Sequence, residues 1–155
     1  MDKMHSLYRD FGQSVWLDYI DRDLLRSGGL ALLVEDGLRG GTSNPTIFHQ
    51  AITGTRDYDD AISDLLRADP QVDAATLYEW LSIQDVQAAA DVLRPVYRES
   101  AGRDGYVSLE VSPHLAYELE ETVAAARHLW EAVDRPNLMI KVPATAAGIH
   151  AVERL

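Results

Sequence analysis

Lys141 lies in an apolar stretch near the end of the chain, Leu138-Met139-Ile140-Lys141-Val142-Pro143. Such a run is typical of a buried strand, where an ammonium without a partner loses hydration worth several kcal/mol. Burial there favours the neutral amine, which is the form that attacks a carbonyl carbon to make a Schiff base. The alternative is a strand-end lysine whose ammonium reaches water along its flexible stem. The sequence therefore predicts either a nucleophile or a solvated strand end.

Two carboxylates occur in the same kind of setting. Asp18 lies near the end of residues 13–20, which are rich in β-branched and aromatic side chains, and Glu110 lies near the end of the alternating segment 106–112. If the three strands are parallel neighbours, all three charged side chains project from one end of the sheet. Two acids beside an amine suit chemistry in which protons move around a nucleophilic lysine. Each acid taken singly is more often a solvated strand end.

Asn44 is a candidate of another kind, in the turn Thr42-Ser43-Asn44-Pro45. Its carboxamide could hydrogen-bond a substrate hydroxyl, and an Asx turn ahead of proline explains it equally well. The five histidines show no metal-binding spacing, so no metal site is predicted.

Composition narrows the possible functions. The 155 residues are 46% hydrophobic and 25% charged, which fits one globular unit. A formal charge of −11 argues against general nucleic-acid binding, although a small phosphorylated substrate needs only a local pocket of donors. The chain has no cysteine, which removes thiol chemistry and favours a reducing cytoplasm. No apolar run is long enough to span a membrane, so no membrane association is expected.

The elements that must position these residues alternate between strands and helices. The predicted strands are residues 13–20, a short strand that runs into a turn within 38–46, residues 106–112 and the strand that contains Lys141. The predicted helices are residues 21–36 with an interruption at 27–29, a short helix from Pro45, 58–68, 74–100, one opened by Pro113, and 144–155. This order predicts an α/β fold of parallel units, as in the first half of a (β/α)₈ barrel. An open doubly wound sheet is the alternative, but its phosphate-binding glycine motifs are absent.

Two details of these helices follow from residue chemistry. Pro95 is expected to kink or break the long helix, because proline lacks the N–H of a helix interior. The helix opened by Pro113 has a stripe that predicts its buried face: Leu115, Leu119, Val123, Ala126 and Trp130.

Several segments together closely resemble the transaldolase family. They are Trp16-Leu17-Asp18, Gly41-Thr42-Ser43-Asn44-Pro45-Thr46-Ile47-Phe48, Val107-Ser108-Leu109-Glu110-Val111-Ser112-Pro113 and Leu138-Met139-Ile140-Lys141-Val142-Pro143-Ala144-Thr145. The likeness is greatest to the longer bacterial branch, which also occurs fused to a glucose-6-phosphate isomerase. It implies a TIM barrel of which residues 1–155 form the N-terminal half, about four β/α units of a single domain. The substrate-phosphate arginines and a threonine that helps hold the catalytic water are then expected in the missing strands.

The resemblance also implies roles. Lys141 matches the Schiff-base lysine of the fourth strand, and Asp18 matches the acid that takes a hydroxyl proton during carbon–carbon cleavage. Glu110 matches the acid that moves protons, with a water, as the imine forms and breaks. Asn44 and Thr42 match residues that line the substrate pocket.

The implied activity belongs to the pentose phosphate pathway. It transfers a dihydroxyacetone unit between ketose and aldose phosphates, without metal or organic cofactor: sedoheptulose 7-phosphate and glyceraldehyde 3-phosphate give erythrose 4-phosphate and fructose 6-phosphate. Two alternatives are a non-catalytic half-barrel that acts by association, and another Schiff-base aldolase such as the deoxyribose-phosphate type, which fits Lys141 but not the Thr-Ser-Asn-Pro turn. The 155 residues alone are expected to be inactive and to self-associate through unpaired barrel edges.

Overall fold

The computed structural model describes residues 3–155, in which parallel strands alternate with helices. The predicted domain, 1–155, includes two further residues that lie outside the described range. The strands are β1 (Trp16–Leu17), β2 (Gly40–Thr42), β3 (Val107–Glu110) and β4 (Leu138–Lys141). The helices are α1 (Lys3–Phe11), α2 (Arg22–Arg26), α3 (Gly29–Glu35), α4 (Pro45–Gly54), α5 (Asp59–Ala68), α6 (Ala74–Glu99), α7 (Leu119–Val133) and α8 (Ala146–Arg154).

The four strands form one parallel sheet in the order β1-β2-β3-β4. The predicted parallel α/β fold is therefore confirmed. Consecutive strands are neighbours throughout, as in a (β/α)₈ barrel, whereas a doubly wound sheet reverses its strand order part-way. Because all four strands run the same way, their carboxyl ends lie at one edge of the sheet.

The core lies between the sheet and the helices that follow its strands. Leu93 of α6 and Val133 of α7 are fully buried, and they pack with Val107 and Leu138 at the starts of β3 and β4. Apolar side chains at these positions are what the alternation of a strand and the periodicity of a helix place against each other. The packing fixes β3 and β4 as neighbours.

β1 is shorter than the predicted strand over residues 13–20. The backbone pairs with β2 only at Trp16 and Leu17, and it bends at Asp18. Trp16 is the register partner of Gly40, and its indole lies directly over that glycine. A Cβ at residue 40 would be 2.3 Å from the ring, so glycine is required for this close approach.

The helix predicted over 21–36 is interrupted as expected, since α2 ends before Gly28, which has φ 78°, and α3 begins after it. Pro95 was predicted to kink or break the long helix, and a break is wrong, because α6 continues through it. Pro95 is on the exposed side of α6, while Leu93 and Val96 on either side are buried. Packing of the buried face therefore holds α6 together across a residue that cannot donate a backbone hydrogen bond.

The prediction for Pro113 is also only partly right. Pro113–Leu115 forms a short 3₁₀ turn, and α7 begins later, at Leu119. Trp130, expected in the core, is 48% exposed within residues 3–155, and Leu129 and Val133 are buried instead. Val123 and Ala126 of the predicted stripe are buried as expected, so the prediction fails only at the C-terminal part of α7.

A buried polar cluster joins α2, α5 and α6. The Arg22 Nε donates to Asp85 Oδ1 at 3.0 Å, and the hydroxyl of Tyr58 donates to Asp85 Oδ2 at 2.7 Å. The Arg22 guanidinium also lies 4.5 Å from the centroid of the Tyr58 ring. Burial raises the pKa of Asp85 and of Tyr58. Within the described range, none of the helices combines the length and apolarity needed to cross a lipid bilayer.

Candidate active site

The Lys141 ammonium lies at the carboxyl end of β4 and contacts three oxygen atoms. Its Nζ donates to Thr42 Oγ1 at 2.9 Å and to the Ser43 carbonyl at 2.9 Å, and it forms an ion pair with Glu110 Oε1. An ammonium has three N–H donors, so each of its donors has one acceptor.

The sheet register brings these groups together. Glu110 and Lys141 are paired residues of β3 and β4, and Thr42 is paired with Ser108 on β2 and β3. Paired residues of parallel strands point to the same face of the sheet, as do residues two apart along one strand. Thr42, Ser108, Glu110 and Lys141 therefore share the face that a closed barrel would turn inward.

Lys141 differs from the buried, unpartnered lysine that its apolar strand indicates. Its side chain is 39% exposed, that of Glu110 is 31% exposed, and the two form an ion pair. The reason is the position of Lys141 as the last residue of β4, where the stem lies among apolar neighbours and the amine emerges at the sheet edge. A carboxylate in contact with the amine provides the proton acceptor that a lysine nucleophile needs.

A cleft of about 350 Å³ opens beside the pair. It is lined by Glu110, Val111, Pro113, Lys141, Val142 and Pro143. A second cavity, of about 290 Å³, lies on the helix side of β3 and includes Glu110, Tyr78 and Ser82. Burial raises the pKa of Tyr78, and the negative charge of Glu110 adds to that rise. Glu110 thus borders both cavities, and Lys141 borders the first.

Asn44 is the N-cap of α4. Its Oδ1 accepts hydrogen bonds from the backbone N–H of Thr46 at 2.8 Å and of Ile47 at 3.2 Å, and Pro45 occupies the first helical turn. The carboxamide oxygen of Asn44 therefore forms the Asx turn that the sequence offered as the alternative. The carboxamide nitrogen of Asn44 donates no hydrogen bond within residues 3–155.

Asp18 lies immediately after β1, at the same edge of the sheet, and is exposed. Within the described range no hydrogen bond or ion pair joins Asp18 to Lys141 or Glu110, so the structure does not bring these three predicted groups into contact. The next residue, Tyr19, donates its hydroxyl to Asp21, and this hydrogen bond raises the pKa of Tyr19. Asp18 is therefore the acid of this edge that has no partner in residues 3–155.

Sequence reasoning missed two groups that touch this network. The Ser43 carbonyl accepts from Lys141, which residue type alone could not indicate, because every residue has a carbonyl. The Ser108 hydroxyl donates to Thr42 Oγ1 at 2.9 Å. A signal for Ser108 did exist, because it lies two residues before Glu110 in an alternating strand and so shares its face.

The arrangement is suited to carbonyl chemistry. An amine that passes a proton to an adjacent carboxylate becomes a nucleophile, and the same carboxylic acid can later protonate a departing hydroxyl. Residues 3–155 contain no cluster of three or more His, Asp or Glu side chains able to hold a metal ion.

Comparison with known proteins agrees with this chemistry. The family model described as Transaldolase/Fructose-6-phosphate aldolase matches residues 15–155. A transaldolase of Thiobacillus denitrificans is 51% identical over 93% of this chain and 40% of its own length. A transaldolase of Saccharopolyspora erythraea is 48% identical over 94% of this chain and 39% of its own length. Transaldolase 2 of Nostoc punctiforme is 44% identical over 95% of this chain and 38% of its own length. The chain thus spans about 40% of the length of these curated relatives. It belongs to the transaldolase/fructose-6-phosphate aldolase family.

Proposed function

We propose that residues 1–155 are the first four β/α units of a transaldolase barrel, and that Lys141 is its Schiff-base nucleophile. The observation that carries the proposal is the contact of the Lys141 amine with Glu110 and Thr42 at the carboxyl ends of parallel strands. Active sites of (β/α)₈ barrels lie at this end of the strands. The relatives named transaldolase support the choice of reaction.

The first half of the proposed reaction forms the covalent bond. Lys141 gives one ammonium proton to Glu110, and the amine attacks the carbonyl carbon of a ketose phosphate. The carbonyl oxygen takes up a proton from the attacking nitrogen and becomes the hydroxyl of a neutral carbinolamine. Glu110 then returns its proton to that hydroxyl, which leaves as water, and a protonated imine remains. The ion pair places the acid within reach of the nitrogen and of the cleft where the ketose would lie.

The second half breaks a carbon–carbon bond. Asp18 accepts the proton of the hydroxyl on the ketose's fourth carbon, and the bond between the third and fourth carbons breaks. The aldose phosphate leaves, and the electron pair stays on the lysine-bound dihydroxyacetone unit as an enamine. Attack of this enamine on a second aldose phosphate reverses the steps, with Asp18 returning the proton. The carboxamide nitrogen of Asn44 is the group we expect to bond the substrate hydroxyls, and Thr42 lines the pocket beside Lys141.

The proposed substrates are those of the pentose phosphate pathway: sedoheptulose 7-phosphate with glyceraldehyde 3-phosphate, and fructose 6-phosphate with erythrose 4-phosphate. The steps use one amine and two carboxylates and call for no metal or organic cofactor. Because these sugar phosphates are cytoplasmic metabolites, we place the activity in the cytoplasm.

Borohydride trapping tests the nucleophile. The full-length gene product is incubated with fructose 6-phosphate, reduced, and mapped by peptide mass. Lys141 and Lys3 are the only lysines of residues 1–155. We expect an adduct on the peptide containing Lys141, none with Lys141→Ala, and normal labelling with the matched variant Lys3→Arg. An adduct elsewhere, or full labelling of Lys141→Ala, would contradict the assignment.

A second measurement separates transfer from simple cleavage. A transaldolase converts fructose 6-phosphate efficiently only when an aldose acceptor such as erythrose 4-phosphate is present. A fructose-6-phosphate aldolase releases dihydroxyacetone without an acceptor, and a deoxyribose-phosphate type aldolase acts on deoxyribose 5-phosphate instead. If dihydroxyacetone were released at the full rate without an acceptor, the protein would be a fructose-6-phosphate aldolase and not a transaldolase.

We also propose that a polypeptide of these 155 residues, expressed alone, self-associates and lacks transaldolase activity. Within residues 3–155, β1 and β4 are each paired on one side only, which leaves a free row of backbone donors and acceptors. Apolar side chains are exposed beside β4: Trp130, Met139, Ile149, Val152 and Leu155. Exposed apolar patches of this kind promote association.

Size-exclusion chromatography with light scattering tests that proposal. We expect species larger than a monomer. The double variant Ile149→Glu/Val152→Glu should shift the population toward the monomer. Leu66→Glu is the matched control, because Leu66 is 42% exposed on α5, away from both sheet edges. A monomeric, active 155-residue polypeptide would contradict the proposal.

A further inference from the structure

Ser108 connects to the lysine through a second hydroxyl. Its Oγ donates to Thr42 Oγ1 at 2.9 Å, and the same oxygen accepts from Lys141 Nζ at 2.9 Å. Ser108 is 3% exposed, in the middle of β3 on the face that carries Glu110. Ser108 makes no direct hydrogen bond with Lys141 in the described part of the chain, so any effect of Ser108 on the amine must pass through Thr42.

The hydrogen count at Thr42 determines the direction of these bonds. A hydroxyl oxygen accepts two hydrogen bonds and donates one. Within residues 3–155, Thr42 Oγ1 is the acceptor available to the buried Ser108 hydroxyl, and a buried donor without an acceptor is costly. Thr42 therefore accepts from Ser108 and from Lys141, and its own hydrogen is directed toward the Ser43 carbonyl, 3.4 Å away.

This arrangement has a consequence when Lys141 loses a proton. Two N–H groups remain, and the Thr42 oxygen and the Ser43 carbonyl hold them. The lone pair is then left on the third side, toward Glu110 and the cleft. If Thr42 were free to turn, its hydrogen could bond that lone pair instead, and the amine could not attack.

We propose that Ser108 is a positioning residue for the nucleophile: by donating to Thr42, it keeps the lone pair of the Lys141 amine directed into the cleft. The inference rests on the proposed Schiff-base function. It adds to that function a residue that makes no hydrogen bond with the lysine within residues 3–155 and acts on it through Thr42.

The rate of borohydride trapping with fructose 6-phosphate tests the inference in the full-length gene product. Ser108→Ala should lower the trapping rate constant at saturating substrate by about tenfold, since misplacing a reacting group by an ångström can cost on the order of a hundredfold. The substrate concentration for half-maximal rate and the final trapped fraction should stay unchanged. Ser108→Thr keeps the hydroxyl and should recover most of the rate. In a Thr42→Val background, Ser108→Ala should have no further effect, because the two residues act in series.

Ser100→Ala is the matched control. It also removes a buried serine hydroxyl, 4% exposed, which donates to the carbonyls of Tyr97 and Asp104 and not to Thr42 or Lys141, and its rate constant should match the wild type. A Ser108→Ala protein with a lower melting temperature or trapped fraction but an unchanged rate constant would show a merely structural role and overturn the inference. An equal loss of rate with and without Thr42 would overturn it as well. A wild-type protein that forms no adduct would overturn the proposed function and this inference together.

Discussion

Glu110 and Lys141 are register partners at the carboxyl ends of β3 and β4, and their side chains form an ion pair. Pairing between parallel strands thus sets the distance between a base and a nucleophile that are 31 positions apart in sequence (141 − 110). The rigid part of the fold, rather than a loop, positions this pair.

Glu110→Gln tests the role of this carboxylate. The amide oxygen can still accept from Lys141, so the pair should stay together, but glutamine cannot take the ammonium proton. We expect formation and hydrolysis of the imine to slow by about 10²–10⁴-fold. Single-turnover trapping measures this, and Glu121→Gln, on the exposed face of α7, is the control. Imine formation at a near-normal rate in Glu110→Gln would show that another group takes the proton.

Asp18→Asn should separate binding from cleavage. Without a proton acceptor at position 18, imine formation continues, but carbon–carbon cleavage slows by about 10²–10⁴-fold. The mass of the trapped adduct reports the difference: a dihydroxyacetone unit in the wild type, and the whole ketose phosphate in the variant. Asp23→Asn, an exposed acid in the first turn of α2, should behave as the wild type. A dihydroxyacetone adduct at the normal rate in Asp18→Asn would contradict the acid–base role.

Tyr58→Phe should destabilise the fold through the buried cluster. It removes the donor to Asp85 Oδ2 at 2.7 Å, which leaves a buried carboxylate one hydrogen bond short. We expect a loss of about 1.5–3 kcal/mol in the free energy of unfolding, as for hydrogen bonds to charged groups. Tyr106→Phe removes a hydrogen bond of the same length to the neutral Gly102 carbonyl, and should cost about 0.5–1.5 kcal/mol. Equal losses by urea unfolding would show that the charge of Asp85 does not matter.

The Asp91–Arg135 pair should give a pH-dependent contribution to stability. Arg135 donates from Nε at 2.7 Å and from Nη2 at 2.9 Å to the two oxygens of Asp91, and this lowers the pKa of Asp91. The contribution is therefore fully present above the unfolded pKa of about 3.9, and it is lost as the pH falls through the lower folded value. The side chain of Asp91 is 54% exposed, so Asp91→Asn should cost only about 0.2–1 kcal/mol at neutral pH.

Urea unfolding of wild type and Asp91→Asn, from about pH 7 down to about pH 3, measures this dependence. The difference between the two proteins should shrink at the acidic end. Glu131→Gln, an exposed acid of α7 without an ion pair in the described residues, is the control. A difference that stays constant over the whole range would mean that the charge of Asp91 contributes nothing.

The sequence was sufficient to predict the strand and helix order from residue 13 onward and the shared edge of the candidate residues, but it did not predict α1. Alternation and apolar runs predict elements, and parallel strands bring their carboxyl ends together. The sequence could not predict that Lys141 pairs with Glu110, because register depends on packing between β3 and β4. It also placed Trp130 in the core, because Val123, Ala126 and Trp130 fit one helical stripe. The spacing alone could not show that Leu129 and Val133 are buried instead.

The close contact between Trp16 and Gly40 couples two positions that chain order keeps 24 residues apart (40 − 16). Any larger residue at 40 would put its Cβ 2.3 Å from the indole, and a smaller residue at 16 would leave the glycine uncovered. The first strand is therefore joined to the second by a matched pair that can change only as a pair. Among relatives, we expect these two positions to covary, with a residue larger than glycine at 40 only where 16 is smaller than tryptophan.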